Sequence, residues 1–246
     1  MNFPSNNKDR LFADEQAPAN FKFDARVAGV FEDMINRSVP GYSTIVDMIG
    51  TLAERYYQDQ TRIYDLGCSL GAASFAIAQN LGGRGAQIVA VDNSAAMLEG
   101  LRDRLRQANL EDIHIDSCCQ DINDTEIANA SVVVLNFTLQ FVDPAQRQQL
   151  LDRICQGMVP GGVLIISEKI LFPDAQMNAL FVDLHHRFKQ AMGYSELEIS
   201  RKRAALEQVL MPETIDSHRQ RLLQAGIKTE DLWYQCFNFA SMVAFK

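Results

Sequence analysis

Short apolar runs that alternate with helical segments fill the middle of this chain and restrict its fold more than any other feature. The runs, most of them rich in valine or isoleucine, lie at residues 63–66, 87–91, 113–118, 132–135 and 163–167. Helical periodicity occupies the segments between them, at residues 72–81, 94–108 and 144–157. Runs without polar alternation are typical of strands buried on both faces of a sheet. The pattern therefore predicts an α/β fold, with a mostly parallel sheet and helices on both faces.

Further segments flank this core on both sides. Apolar residues recur at helical spacing over residues 27–35 and 45–56, whereas the first 25 residues show no sustained period and are predicted to be an arm. After the core we predict a helical insertion and two closing strands, at about 173–224, 231–239 and 241–245. The predicted division is an N-terminal arm with helices that cover the site, 1–60, followed by a ligand-binding α/β domain, 61–246.

The charge balance restricts the partners. The chain has 23 Lys and Arg residues against 31 Asp and Glu residues, a formal net charge of −8. Such a chain has no overall attraction for nucleic acid or an anionic membrane, so an anionic ligand requires a local cluster of arginine or lysine. No apolar run reaches membrane-spanning length and no secretory signal is visible, so we expect a cytoplasmic protein.

The cysteines and histidines are not spaced as metal ligands. The five cysteines form no CxxC pair, and the four histidines form no HExxH motif. We interpret the cysteines as reduced thiols of the core and expect no metal.

The strongest local signal is the sequence DLGCSLG, which follows the first predicted strand. Gly67 and Gly71 allow the backbone to approach a ligand closely, and the next helix begins with N–H groups available to it. The spacing is GxxxG rather than the GxGxxG of dinucleotide sites, and Asp65 would lie too near a pyrophosphate. A cationic nucleoside such as S-adenosylmethionine fits better, because it has an ammonium and a sulfonium but no phosphate.

Polar residues also follow the next three strands. Asp92 ends the second strand, where a carboxylate can accept hydrogen bonds from both ribose hydroxyls. Asp121 after the third strand is placed to accept from the adenine amine, while the Ile122 backbone addresses the ring. Asn136 ends the fourth strand and suits the reacting end of the ligand. Helix capping by Asp92 and solvation of Asp121 in a turn are the structural alternatives.

These motifs, in this order, resemble two nested families. The core resembles the class I S-adenosylmethionine-dependent methyltransferases in the motifs DLGCSLG, VDNS, CQDI, VLNFTLQF and MVPGGVLIISE. The flanking segments narrow the resemblance to the carboxy-S-adenosyl-L-methionine synthase family, through RSVPGY, HHRFK and GYSELEISRKR. The resemblance implies a Rossmann-like fold with a mostly parallel seven-stranded sheet, extra N-terminal helices and a helical insertion before the last two strands.

The resemblance also implies an activity. Prephenate would be decarboxylated to phenylpyruvate, and the carbon dioxide would be captured by the deprotonated methyl carbon of S-adenosylmethionine. A separate enzyme would then use the product to modify wobble uridine in tRNA. The family's nucleoside contacts fall on Tyr42, Gly67, Cys68, Ser69, Asp92, Asn93, Asp121, Ile122 and Asn136. The resemblance implies that Arg203 is the catalytic residue and that it also contacts the ligand. It would face the carboxylate from the partner subunit of a homodimer. The nearby Arg201 leaves open which of the two arginines makes this contact.

Two other functions share parts of this pattern. An ordinary S-adenosylmethionine-dependent methyltransferase of small molecules would have the same nucleoside site. A nucleoside-binding regulatory or RNA-associated module would need the site without the reaction. The charge of −8 counts against direct RNA binding.

Overall fold

The computed structural model describes residues 8–13, 21–108, 110, 113–207 and 209–246. Its helices are Ala25–Ala28 (α1), Phe31–Asn36 (α2), Tyr42–Tyr56 (α3), Ala72–Asn80 (α4), Ala95–Gln107 (α5), Pro144–Gly157 (α6), Ala175–Ala191 (α7), Glu196–Leu206 (α8) and Ile215–Gln224 (α9). Its strands are Arg62–Leu66 (β1), Gln87–Asp92 (β2), His114–Cys119 (β3), Ala130–Asn136 (β4), Met158–Leu171 (β5), Glu213–Thr214 (β6), Thr229–Cys236 (β7) and Phe239–Phe245 (β8).

The strands form one main sheet in the order β3-β2-β1-β4-β5-β8-β7. The first five are parallel to one another, whereas β8 runs antiparallel to both β5 and β7. This arrangement confirms the predicted α/β fold with a mostly parallel seven-stranded sheet and two closing strands. The eighth strand, β6, has two residues and pairs with the end of β5.

Three predicted boundaries were wrong. The single helix expected over 27–35 is two helices, because the chain turns at Gly29 and Val30 between α1 and α2. The fifth strand is longer than expected, since its residues beyond 167 continue to pair with β8. The first closing strand ends at Cys236 rather than at 239, because Phe237 takes a positive φ of 51° in the turn to β8.

The sheet is buried between two apolar layers. One layer packs Leu150 and Ile154 of α6 and Leu222 of α9 on one face. The other packs α3 and α4 on the opposite face, with Ile49 and Ile77 fully buried there. Because β1, β2, β4 and β5 are parallel neighbours, their carboxyl ends meet at one edge of the sheet.

Several expectations about the rest of the chain have a mixed outcome. The cysteines are free, but only Cys68 and Cys155 are buried; Cys119 is exposed at the end of the edge strand β3, so the expectation of five core thiols was wrong. Residues 1–7 and 14–20 of the predicted arm lie outside the described residues, and the division at residue 60 stays a prediction. Among the described helices, none has the length and apolar character needed to cross a membrane.

Candidate functional site

A cavity of about 670 Å³ opens at the carboxyl ends of the parallel strands. This volume lies in the range typical of small-molecule sites, which is about 300–1,000 Å³. All predicted site residues except Gly71 line the cavity, namely Tyr42, Asp65, Gly67, Cys68, Ser69, Asp92, Asn93, Asp121, Ile122, Asn136 and Arg203. Fold topology therefore brings together residues that are up to 161 positions apart in the chain, although the role of each stays a prediction.

The glycine loop between β1 and α4 approaches the cavity with its backbone. Gly67 has a φ of 76°, and a Cβ there would lie 2.4 Å from the Thr138 side chain. Glycine is thus required at this position for conformation and for space. Gly71 differs: with φ 82° it precedes α4, and a Cβ there would meet Leu101 rather than the cavity. Gly71 therefore contributes to the conformation and packing of the turn before α4.

Asp65 is buried behind this loop. Its Oδ2 accepts hydrogen bonds from the backbone N–H of Ser74 at 3.1 Å and from the Ser74 hydroxyl at 2.6 Å, which ties β1 to the first turn of α4. Burial raises the pKa of Asp65 to about 6. Asp65 thus lines the cavity and also holds the glycine loop in place.

Asp92 connects the two loops that lie beside it. Its Oδ2 accepts from the Ser69 N–H and its Oδ1 from the Ser94 N–H, both at 2.8 Å. Burial raises the pKa of Asp92, an effect that these two backbone donors oppose. A carboxylate has about four acceptor positions, so two remain for ribose hydroxyls. The capping alternative was wrong, because Ser94 rather than Asp92 caps α5, by accepting from the Met97 N–H at 3.2 Å.

Polar atoms continue along the same edge. Asp121 precedes a short 3₁₀ helix, Ile122–Asp124, and accepts from the Asn123 N–H at 2.8 Å. Asn136 at the end of β4 has a buried Oδ1 that accepts no hydrogen bond from the described residues. A buried acceptor without a donor is costly, so this atom is suited to a ligand N–H or O–H. We call Asp65, Asp92, Asp121 and Asn136 the acidic wall.

Another part of the cavity lining is basic, and sequence reasoning largely missed it. Lys169 of β5, His185, His186 and Lys189 of α7, and Lys202 and Arg203 of α8 line the cavity there. We call these six residues the basic wall. The sequence HHRFK served only as a family marker. Lys169 was missed because β5 was expected to end at 167.

Some members of the basic wall are held by the protein itself. Lys202 donates to the Ser38 hydroxyl at 2.9 Å, and its Nζ lies 3.7 Å from the buried Asp9 carboxylate. His185 Nε2 lies 2.8 Å from the Ser38 carbonyl, and burial lowers the pKa of this imidazole to about 3, so it is neutral at ordinary pH. Burial lowers the pKa of Lys202 to about 8, although Asp9 opposes that shift.

The two candidate arginines differ in their contacts. Arg201 donates to the Phe12 and Ala13 carbonyls at 3.3 and 2.9 Å, tying α8 to the N-terminal segment. Arg203 is exposed and lines the cavity. A capping box between Ser195 and Glu198 fixes the start of α8 and hence the direction in which these residues project.

Aromatic rings cover the cavity between the two walls. Phe23 and Phe31 come from the N-terminal region, and Phe23 packs edge-on against Phe141 at 5.2 Å between ring centroids. Tyr42 of α3 packs against Phe137 with centroids 6.3 Å apart, and burial raises its pKa well above the usual range. Apolar rings in a cavity lining help to exclude water from a bound ligand.

The residues present fit S-adenosylmethionine. The Gly67 cradle leaves room for a ligand backbone, the acidic wall suits ribose, adenine and cationic groups, and the Asn136 oxygen lacks a donor. For metals, the described residues contain no group of three or more His, Cys, Asp or Glu side chains arranged as ligands.

Comparison with known proteins agrees with this interpretation of the site. Residues 63–162 match a family model described as a methyltransferase domain. Carboxy-S-adenosyl-L-methionine synthase of Aliivibrio salmonicida is 52% identical over 244 residues, covering 98% of this chain and 99% of that protein. The protein of the same name from a Geobacter species is 53% identical over 239 residues, covering 97% and 98%. Human N-acetylserotonin methyltransferase, solved with SAM, has a TM-score of 0.59 at 15% identity, covering 97% of this chain and 63% of that one, which shows the fold alone.

Proposed function

This chain belongs to the carboxy-S-adenosyl-L-methionine synthase family, and from that membership we propose that it converts S-adenosylmethionine and prephenate to carboxy-S-adenosylmethionine and phenylpyruvate. The observation that supports this reaction most directly is the pairing of an acidic wall with a basic wall in one cavity. A cationic nucleoside suits the first wall, and a dianionic acid suits the second. An ordinary methyl transfer would need no such excess of positive charge.

The nucleoside would lie along the acidic wall. Asp92 would accept from the ribose hydroxyls, and Asp121 with the Ile122 backbone would bind adenine. Asp65 and the loop at Gly67, Cys68 and Ser69 would surround the methionyl part, and Asn136 would lie near the sulfonium. The adjoining Tyr42 and Asn93 would complete the contacts; all of these residues line the cavity.

The reaction balances without a protein base. Fragmentation of the prephenate dianion gives phenylpyruvate, carbon dioxide and hydroxide. Hydroxide removes a proton from the sulfonium methyl group to give water and an ylide, and the ylide carbon attacks carbon dioxide to form the new carboxylate. The chain would hold the reactants together and exclude bulk water by means of the aromatic cover. Arg203 would bind the new carboxylate through its planar guanidinium.

We also propose a homodimer in which Arg203 of the partner subunit serves the cavity. Exposed apolar side chains support a second copy on this side of the molecule: Met177 and Leu180 on α7, and Leu197 on α8. Arg203 itself is exposed and lines the cavity. The α8 helix of a second copy could therefore place its own Arg203 in this cavity, and receive the Arg203 of this chain in return.

A mixed dimer tests this arrangement. An Arg203→Ala chain is combined with an Asp92→Ala chain, so that only a heterodimer with an exchanged arginine contains one intact site. Recovery of activity on mixing supports the partner's contribution. Mixed dimers that form without any recovered activity would show that Arg203 serves its own chain.

The product would serve tRNA modification in the cytoplasm. A separate enzyme would transfer the carboxymethyl group to wobble uridine, so this chain need not contact RNA or a membrane, in keeping with its net charge of −8.

The decisive experiment is incubation of the purified protein with S-adenosylmethionine and prephenate. We expect phenylpyruvate and a nucleoside heavier than S-adenosylmethionine by one carbon dioxide, detected by mass spectrometry. Release of S-adenosylhomocysteine with an added acceptor would indicate an ordinary methyltransferase instead. Tight nucleoside binding without turnover would indicate a regulatory module.

A further inference from the structure

Two lysines of the basic wall have no carboxylate partner among the described residues. Lys169 comes from β5 and Lys189 from α7, and both line the cavity. Lys189 is only 8% exposed, yet within the described ranges neither ammonium forms an ion pair with a carboxylate. Lys202 is equally buried but has Asp9 and Ser38 as partners. The chain thus contains a satisfied lysine and two unsatisfied ones in the same wall.

Burial of an unpaired ammonium is costly and needs compensation. Desolvation first, and then the charges of Lys169, Lys202 and Arg203 in that order, together lower the pKa of Lys189 to about 7. Desolvation and Arg203 likewise lower the pKa of Lys169. Repulsion among the cations that line the cavity thus contributes to both lowered pKa values. A ligand with more than one negative charge would relieve this repulsion.

In the part of the chain that the structure describes, the nearby carboxylates do not replace such a ligand. Glu168 precedes Lys169, but its two oxygens accept from the Leu139 and Gln140 N–H groups at 2.8 and 2.9 Å. Asp143 and Glu207 also line the cavity, but neither forms an ion pair with the two lysines. The cavity therefore has a surplus of positive charge on this side.

We infer that Lys169 and Lys189 form a dicarboxylate subsite that binds the second substrate in the same cavity as the nucleoside. The inference rests on the proposed function, and it separates two tasks within the basic wall. Lys169 and Lys189 receive the carboxylates of the incoming dianion, whereas Arg203 recognises the carboxylate of the product. Lys202 instead holds the N-terminal segment against α8 through Asp9 and Ser38.

Binding measurements with single variants test the subsite. S-Adenosylhomocysteine, which has no transferable methyl group, saturates the protein, and prephenate is titrated by calorimetry. Lys169→Met and Lys189→Met should each weaken prephenate binding about tenfold or more, as expected for loss of a charge-assisted hydrogen bond. Affinity for S-adenosylmethionine should change less than about twofold in both variants. Lys228→Met, at an exposed position before β7, is the matched control for loss of one charge and should behave as the unsubstituted protein.

A second readout separates binding from mere support of the fold. At pH 8, Lys189 is largely neutral, so pairing with a carboxylate should be accompanied by proton uptake, measured by calorimetry in buffers of different ionisation enthalpy. His185, His186, Lys169, Lys202 and Arg203 face the same space, and the difference between the unsubstituted protein and Lys189→Met isolates the contribution of Lys189. Lys189→Arg should restore part of the affinity but not the proton uptake, because arginine stays charged.

The outcomes distinguish the two levels of the proposal. If the unsubstituted protein neither binds nor converts prephenate, the proposed function is wrong. If it converts prephenate but both lysine variants bind prephenate normally, the subsite is wrong while the function stands. Equal loss of affinity for prephenate and S-adenosylmethionine would identify the lysines as supports of the fold and would also overturn the subsite.

Discussion

The acidic and basic walls of the cavity are built in different ways. Carboxylates of the acidic wall accept hydrogen bonds from nearby backbone N–H groups, as Asp92 does from Ser69 and Ser94. The basic wall instead projects long side chains from a strand end and two helices, and Lys169 and Lys189 have no ion-pair partner among the described residues. The acidic wall is therefore preorganised by the fold, whereas a ligand must supply the charge that completes the basic wall.

Asp92→Ala gives the largest expected effect, because one carboxylate holds both loops and, in the proposed function, also binds the ribose. Two charge-assisted hydrogen bonds are lost, each of about 1.5–3 kcal/mol, so affinity for S-adenosylmethionine should fall about 100-fold or more. Affinity for carboxy-S-adenosylmethionine should fall equally, since both ligands contain ribose. Equilibrium binding to the two nucleosides measures this change. Asp92→Asn keeps one acceptor oxygen and should lose less. Selective loss of one nucleoside would contradict the assigned role.

Glu168→Gln tests whether a backbone-bound carboxylate stabilises the fold while its neighbour does not. Each oxygen of the Glu168 carboxyl group accepts from one N–H, so glutamine would turn an amide NH2 toward a donor and, at about pH 5, cost about 2 kcal/mol of unfolding free energy. Lys169→Met, at the next residue on the same strand, is the control and should cost little, because it removes a half-buried ammonium that pairs with no described carboxylate. Denaturant unfolding measures both; an equal loss would remove the distinction between the walls.

The same variant has a pH signature. Burial raises the pKa of Glu168 from an ordinary value of 4.5 to about 8. A raised carboxyl pKa stabilises the protein at low pH and loses that contribution as pH rises through the folded-state value. The stability difference between the unsubstituted protein and Glu168→Gln should therefore shrink between about pH 5 and pH 9. A difference that grows with pH would show that Glu168 is held charged.

Arg203→Ala gives a more selective effect on the basic wall. Affinity for S-adenosylmethionine should stay nearly unchanged, whereas affinity for carboxy-S-adenosylmethionine should fall about tenfold, because one guanidinium contact to the added carboxylate is lost. Calorimetric titration with both nucleosides gives the ratio. Arg203→Lys, which keeps the charge without the planar fork, should restore only part of the preference. An unchanged ratio would refute this role for Arg203.

The sequence could predict the acidic wall far better than the basic one. Valine-rich and isoleucine-rich runs fix the strands, and the carboxyl ends of parallel neighbours must meet, so Asp65, Asp92 and Asn136 converge without further information. Lys189 and Arg203 lie on helices, where charged residues are usually solvated. Their approach to the cavity depends on long-range contacts such as Lys202 with Ser38, separated by 164 positions. No local sequence pattern predicts a contact between residues so far apart in the chain.

Ionic strength should give the smallest effect and compares the walls directly. Between about 0.1 M and 1 M salt the Debye length falls from about 10 Å to about 3 Å, and we expect prephenate affinity to fall about threefold, since the cavity shields its charges only in part. S-Adenosylmethionine affinity should change less, because the short hydrogen bonds that the acidic wall accepts from the ligand are screened weakly. Calorimetry at a series of salt concentrations gives both slopes. Equal slopes would mean that both walls attract their ligands by long-range charge alone, and preorganisation by backbone N–H groups would then not distinguish them.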